Sequence, residues 1–307
     1  MSGEQVAQGL GPHVVGVRIV VRRVLPGERG PTGGPAMTDL LGTCLSWGDG
    51  VCVVQPDSAP GLEPVRVPIA DIVSGKPVPP RPSPRLRVEP QAAQVRALAL
   101  WPGLETEALG SWLLRRSADS TARRANSVLA MAPSGVPGDY ESVVAFYEGH
   151  GQRPIAAVLP GSAEDDQFRS HGWVLESHDA DTVFEIVSVA QARRSLPRAV
   201  PAGVDVSLEG DDRLVTASVR TPEGRLVASG VAAYDEDWVG FRGIEVDPAE
   251  RGRGLGLLVM AELLEWGAER GATTAYLQVL GDNTRAFSLY DGLGFVPHHR
   301  YRYLAAP

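Results

Sequence analysis

Three glycines and two arginines fall within six residues at Arg251-Gly252-Arg253-Gly254-Leu255-Gly256, and their types and spacing suit the binding of an anion. Successive backbone N–H groups that converge at the start of a helix bind phosphate-like groups, because the unpaired amides and the helix dipole both favour negative charge. The glycines remove side chains where a ligand would approach, and the arginines add charge. The flanks fit such a corner: GFRGIEV (240–246) reads as a strand and LGLLVMAELLEWGAERG (255–271) as an amphipathic helix. Two nucleotide-binding patterns do not fit. A dinucleotide fold places its glycines after the first strand of a βαβ unit, with an acidic residue about 20 positions on, whereas this corner follows a run of antiparallel-looking strands. A Walker loop requires Gly-Lys-Ser/Thr, which is absent.

The elements that must position this corner come in two styles. Residues 13–25, 38–57 and 64–73 read as short strands separated by turn signals, with no convincing helix, and predict a small β-barrel. Cys44 and Cys52 face each other across one of its hairpins and are read as buried thiols without chemistry. The segment GKPVPPRPSPRLRVEP (75–90) holds six prolines in 16 residues and predicts a stiff connector. Beyond it the pattern is mixed α/β and runs twice. The first pass has strands at 110–116, 124–132 and 153–160 around a helix at 140–151. The second has four strands before the glycine corner, the helix 255–271, a strand at 273–280 and a helix at 283–294. Both passes close on helix, Gly, aromatic, which is consistent with an internal repeat.

The 307 residues predict two or three domains, and no apolar run approaches the ~20 residues that cross a bilayer. The opening MSGEQVAQGLG has no basic segment followed by an apolar one, so the cytoplasm is the default expectation and no membrane partner is expected. Net charge is −8, and residues 201–307 contribute 16 acidic and 10 basic side chains, which gives no support to nucleic-acid binding. The cluster Asp235, Glu236 and Asp237 would steer a cationic substrate if it stood at a site mouth.

The glycine corner resembles the acyl-CoA motif of the GCN5-related N-acetyltransferase superfamily, Arg/Gln-x-x-Gly-x-Gly/Ala. The resemblance continues over residues 239–296: IEVDP is similar to that family's fourth strand, LQVLGDN to its fifth strand and turn, and AFSLYDGLGF to its closing helix and Gly-Phe. It implies an α+β mixed-sheet fold that binds acetyl-CoA as cosubstrate, with the pyrophosphate on residues 251–256. Ile244, Glu245 and Val246 then lie at the strand end beside the pantetheine arm, Asn283 and Phe287 stand near it, and Tyr290 protonates the departing thiolate. The general base is left open, because Gln278 stands where a related branch has glutamate. Glu245 is the first candidate, and Asp235, Glu236, Asp237 or a water chain are others. The first pass has no matching corner, so the resemblance implies a tandem fold with one degenerate half. Its Asn126 and Tyr147 are candidates for lining an acceptor cleft, against a purely structural role. The whole arrangement resembles a bacterial group labelled histone acetyltransferase-like: an SH3-like barrel at 1–80, a linker at 81–90, a degenerate half at 91–198 and a catalytic half at 199–307. The implied activity is acetyl transfer to a primary amine, on a protein or on a small molecule as in mycothiol synthase. The alternative is a CoA-binding regulator whose barrel recognises a protein partner.

Overall fold

The computed structural model describes residues 9–29, 33–57, 63–79, 83–177, 179–196 and 201–307. The chain divides into two compact units, residues 1–82 and 83–307.

In the first unit β1 (Arg18–Arg29), β2 (Pro35–Gly48), β3 (Val51–Pro56), β4 (Val65–Pro68) and β5 (Ile72–Pro77) form an antiparallel sheet ordered β4-β3-β2-β1-β5. Alternate residues such as Ile19, Val21, Cys52 and Val54 turn inward onto Leu10 and Val14, as period-two patterning requires. The free thiols of Cys44 and Cys52 lie 3.9 Å apart in this core, and burial pushes Cys52 up to about 12, with Cys44 adding to the effect. The sheet expected from the sequence is present, but no pairing of β4 with β5 closes it into a barrel among the described residues.

The second unit is built on one twelve-stranded mixed sheet. Its strands are β6 (Glu105–Leu109), β7 (Trp112–Arg116), β8 (Val128–Leu129), β9 (Ile155–Val158), β10 (Val174–Leu175), β11 (Thr182–Ser188), β12 (Asp205–Gly210), β13 (Leu214–Arg220), β14 (Leu226–Asp235), β15 (Trp238–Val246), β16 (Thr274–Leu280) and β17 (Val296–Ala305). The order is β12-β13-β14-β15-β16-β11-β17-β9-β8-β7-β6, with β10 paired to β17. The two passes are therefore interlocked. β11, from the first, inserts between β16 and β17, while β17, the last strand, bonds to β9. β11 is buried on both faces, which explains its near-continuous apolar sequence TVFEIVS.

The helices are α1 (Pro90–Arg96), α2 (Asp139–Gly149), α3 (Ala163–Ser170), α4 (Val189–Ser195), α5 (Leu255–Glu269) and α6 (Thr284–Gly292). α5 buries Leu255, Leu258, Val259, Leu263 and Trp266 against the core beneath β11 and β13–β16. Where residues 124–132 read as one strand, only Val128 and Leu129 pair. Asn126 instead accepts from the Ser117 amide at 3.0 Å and donates to the carbonyls of Ser120 and Ala122, and such local side-chain bonds compete with a strand ladder. Residues 83–90, at the end of the proline-rich stretch, belong to the second unit: Arg85 donates to Thr274 Oγ1 at 2.9 Å and to the Thr273 carbonyl at 3.0 Å. No helix among the described residues is long and apolar enough to cross a membrane.

Candidate active site

β15 and β16 run parallel and stay paired from Trp238–Thr274 to Phe241–Leu277, then separate. The separation begins at a bulge. Between the pairs Val231–Arg242 and Ser229–Glu245, β15 spends one residue more than β14, and Gly243 in that extra turn has φ +60°. The end of β15 thus bends away from β16, and an open cavity of about 1410 Å³ lies beside it, between α5 and α6.

The first turns of both helices face this cavity. Gly254 is the N-cap of α5 with φ +80°, a left-handed conformation that favours glycine, and no side chain caps the helix. The backbone N–H groups of residues 252–257 have no acceptor among the described residues. At α6 the cap is Asn283, whose Oδ1 accepts the Ala286 amide at 3.1 Å. Two helix N-termini on one cavity, joined by the guanidinium groups of Arg251 and Arg285 in its lining, make a site suited to an extended anion.

Of the residues singled out in the sequence, Ile244, Glu245, Val246, Arg251, Gly252, Gly254, Leu255, Gly256, Asn283 and Tyr290 line the cavity together. Glu245 is exposed there, opposite Ser229 of β14. Tyr290, on α6, is 9% exposed, and its phenol is pushed up to about 12 by burial first and by the charge of Glu185 second, so it holds its proton at neutral pH.

Four expected residues lie elsewhere. Arg253 turns away from the cavity to Glu250 and to the Ala202 carbonyl, 3.3 Å distant. Phe287 packs against the core, as do Ala286 and Leu289, but unlike them it is not among the lining residues. Asn126 braces its own loop as described above. Tyr147 is fully buried, donating to the Arg115 carbonyl at 3.0 Å and accepting the Arg115 amide at 3.1 Å. The last two hold up the first half and have no part in the cavity lining.

The acidic cluster also sits away from the site. Asp235 and Glu236 pair with Arg96 at 3.2 and 2.7 Å, and Asp237 accepts from Thr273 Oγ1 at 3.0 Å. They occupy the turn before β15, whereas the cavity is at the far end of that strand, roughly 25 Å away at ~3.3 Å per residue. The steering argument for a cationic acceptor loses its cluster. Gln278 accepts from Tyr301 Oη and from Arg124 Nε at 3.3 Å, tying the two halves together. Arg285, which the sequence reading did not single out, also lines the cavity; it stands two residues into the helix expected at 283–294, at an end that favours anions.

The sequence profile of the family described as "Probable histone acetyltransferase Rv0428c C-terminal" matches residues 89–304. A probable histone acetyltransferase of Mycobacterium tuberculosis, Rv0428c, is 28% identical over 95% of this chain and 95% of its own length. A mycothiol acetyltransferase of Nocardioides is 27% identical over 58% of this chain and 73% of its own. Among solved structures, a GCN5-related N-acetyltransferase from Kribbella flavida superposes with a TM-score of 0.56 at 19% identity, covering 71% of this chain and 95% of the other, which is a likeness of fold.

Proposed function

Since the chain belongs to the family described as probable histone acetyltransferase Rv0428c C-terminal, and is thereby an N-acetyltransferase of the GCN5-related superfamily, we propose that the cavity between α5 and α6 holds acetyl-CoA and that the acetyl group passes by direct attack to a primary amine. The observation that carries this reading is the convergence of two helix N-termini, with unbonded amides at residues 252–257, on the gap where β15 leaves β16. Those amides and Arg251 take the pyrophosphate. The unpaired edge of Ile244–Val246 takes the pantetheine arm, since its backbone groups are free of β16. Tyr290 then donates its proton to sulfur as the C–S bond breaks, and Glu245, exposed on the lining, accepts the proton that the amine sheds. Holding amine and thioester in one orientation supplies much of the remaining acceleration.

Release of CoA thiol from acetyl-CoA in the presence of a panel of amines tests the proposal, the panel spanning basic and acidic peptides with free N-termini and small aminosugars. Acetylated product from any of them supports it, and a protein that binds CoA but acetylates nothing is the regulator instead. The relative named as a mycothiol acetyltransferase is the reason for the aminosugar arm.

For the first unit we infer an SH3-like module that recognises a protein partner rather than serving the chemistry. Removing residues 1–82 is then expected to leave acetyl-CoA affinity within about twofold by calorimetry, because every lining residue lies at Ser195 or beyond. A folded truncation that no longer binds would show that the two units are interdependent.

A further inference from the structure

Where β15 and β16 part, two arginines without a carboxylate partner stand on the sheet face opposite α5. The last paired residues are Phe241 and Leu277, so the next on each strand are Arg242 and Gln278, the strands being about 4.8 Å apart where they are still bonded. Neighbouring contacts fix the face. Phe241 and Leu277 belong to the core under α5, whereas Gln278 pairs with Phe184 of β11, which packs with Tyr276, Trp238 and Leu100 in the opposite layer. Arg242 donates from Nε to the Leu100 carbonyl at 2.9 Å and lies over the Trp101 ring, 4.9 Å from its centroid, in that same layer. Arg124, from the first half, donates from Nε to Gln278 Oε1 at 3.3 Å and to Tyr301 Oη at 3.0 Å. Glu245 is turned to this face as well. It pairs with Ser229 as Arg242 pairs with Val231, whereas a Cβ on the intervening Gly230 would strike Ile244, Val259 and Leu263 on the α5 side. The cavity lining thus includes a carboxylate on the arginine face, beside the split.

The two positive charges are uncompensated. Nearby, Arg116 pairs with Glu105 at 2.6 Å, Arg123 with Glu176 at 2.7 Å and Arg302 with Asp181 at 2.8 Å, but neither Arg124 nor Arg242 has a carboxylate partner among the described residues. Both side chains are half-buried. Their terminal nitrogens make no hydrogen bond to the described residues, and none of these nitrogens is closed off from solvent. A guanidinium drawn partly out of water without a counter-charge costs stability, and one anchored by its Nε presents its remaining N–H donors as a planar fork that matches an oxyanion.

We infer that the acceptor is an amine that carries its own oxyanion, a carboxylate or a phosphate, and that Arg124 and Arg242 hold that group while the amine reaches through the split toward the thioester. The inference rests on the reading of the cavity as the acetyl-CoA site. Each half then supplies one arm of the acceptor clamp, so the half without a glycine corner contributes to specificity. The charge of the acceptor is opposite to the one expected from the cluster 235–237. With the oxyanion held, nitrogen attacks the thioester carbonyl, the N–C bond forms and the C–S bond breaks. Glu245 takes the proton that nitrogen sheds, sulfur takes that of Tyr290, and solvent returns a proton from Glu245 to Tyr290. Arg124 and Arg242 touch the acceptor away from the reacting atoms and act on its affinity and aim.

The experiment uses the full chain and matched amines that differ in the acidic group: glycine, β-alanine and γ-aminobutyrate against their amides, and phosphoethanolamine against ethanolamine. For each pair the ratio of kcat/KM, per free amine, is read in wild type, Arg124→Gln and Arg242→Gln, together with binding of the same amines to the CoA-saturated protein by calorimetry. A ratio taken within one preparation does not depend on the folded fraction, so a poorly folding variant still reports. Wild type is expected to prefer the acidic member of at least one pair by about 100-fold, that pair naming the oxyanion. Each glutamine variant is expected to lose about 10- to 100-fold of the preference, and the corresponding lysine variants less, with acetyl-CoA affinity within about twofold. A wild-type preference for the neutral member throughout, or a ratio untouched in both glutamine variants, overturns the inference. Arginine-dependent binding of an acidic amine without acetyl transfer supports the oxyanion site and removes the catalytic reading, while failure of the protein to bind CoA removes the reading of the cavity.

Discussion

Gly254→Val is expected to weaken acetyl-CoA binding at least about 100-fold, or roughly 3 kcal/mol, while the protein stays folded. Two physical facts combine there. A Cβ on Gly254 would meet nothing closer than Pro201 Cγ at 3.9 Å, so a side chain there finds room without displacing the protein, at a residue that lines the cavity. The backbone at φ +80° is also one that a β-branched residue adopts only at a cost of about 1–3 kcal/mol, less than the ~5–15 kcal/mol that holds a domain together. Gly256 provides the contrast. Its added Cβ would come within 3.1 Å of Leu289 Cδ1, so a larger residue there must first shift the Leu289 side chain, which itself lines the cavity, and packing and site change together. Calorimetry with CoA and a thermal melt separate the two. Undiminished affinity in a folded Gly254→Val protein would remove the corner from the binding site.

The geometry of that corner was legible in the sequence because it is local. Six consecutive residues, the strand before them and the helix after them carry the geometry between them, so spacing alone finds Gly252, Gly254 and Gly256. The same holds for Asn283 and Tyr290, which ride on a helix of recognisable pattern. What local pattern does not carry is which strand sits beside which. β11 reads as an apolar run without period, and nothing in residues 182–188 says that they pair with β16 and β17 from the other end of the chain. The burial of Glu185 was invisible for that reason, since a glutamate in a strand looks like a solvated residue until both faces of the strand are known to be covered. Arg253 is placed by a contact that the motif does not contain. Its place in the motif suggests charge for the ligand, but the loop before it supplies Glu250, and the closer anion takes the guanidinium. The cluster 235–237 was misplaced because a strand's two ends are neighbours in sequence and ~25 Å apart in space.

Tyr290→Phe is expected to lower kcat by about 10²–10⁴-fold while leaving acetyl-CoA affinity within about twofold. Removing one hydroxyl leaves the ring packed against Phe295, with centroids 5.7 Å apart, so the core under α6 keeps its shape. The phenol oxygen makes no hydrogen bond to the described residues, so little stability goes with it. What is lost is the proton. At neutral pH the phenol is fully protonated, because burial and then the Glu185 charge hold it near 12, and a thiolate leaving beside it is a strong enough base to take that proton only as the C–S bond lengthens. The effect should therefore appear in kcat and not in ground-state binding. A thioester with a better leaving group should also suffer less from the substitution than acetyl-CoA does, because its thiolate needs less protonation. Equal losses for the two, with chemistry shown to be rate-limiting, would mean that the ring is there for packing and that the thiolate takes its proton from solvent.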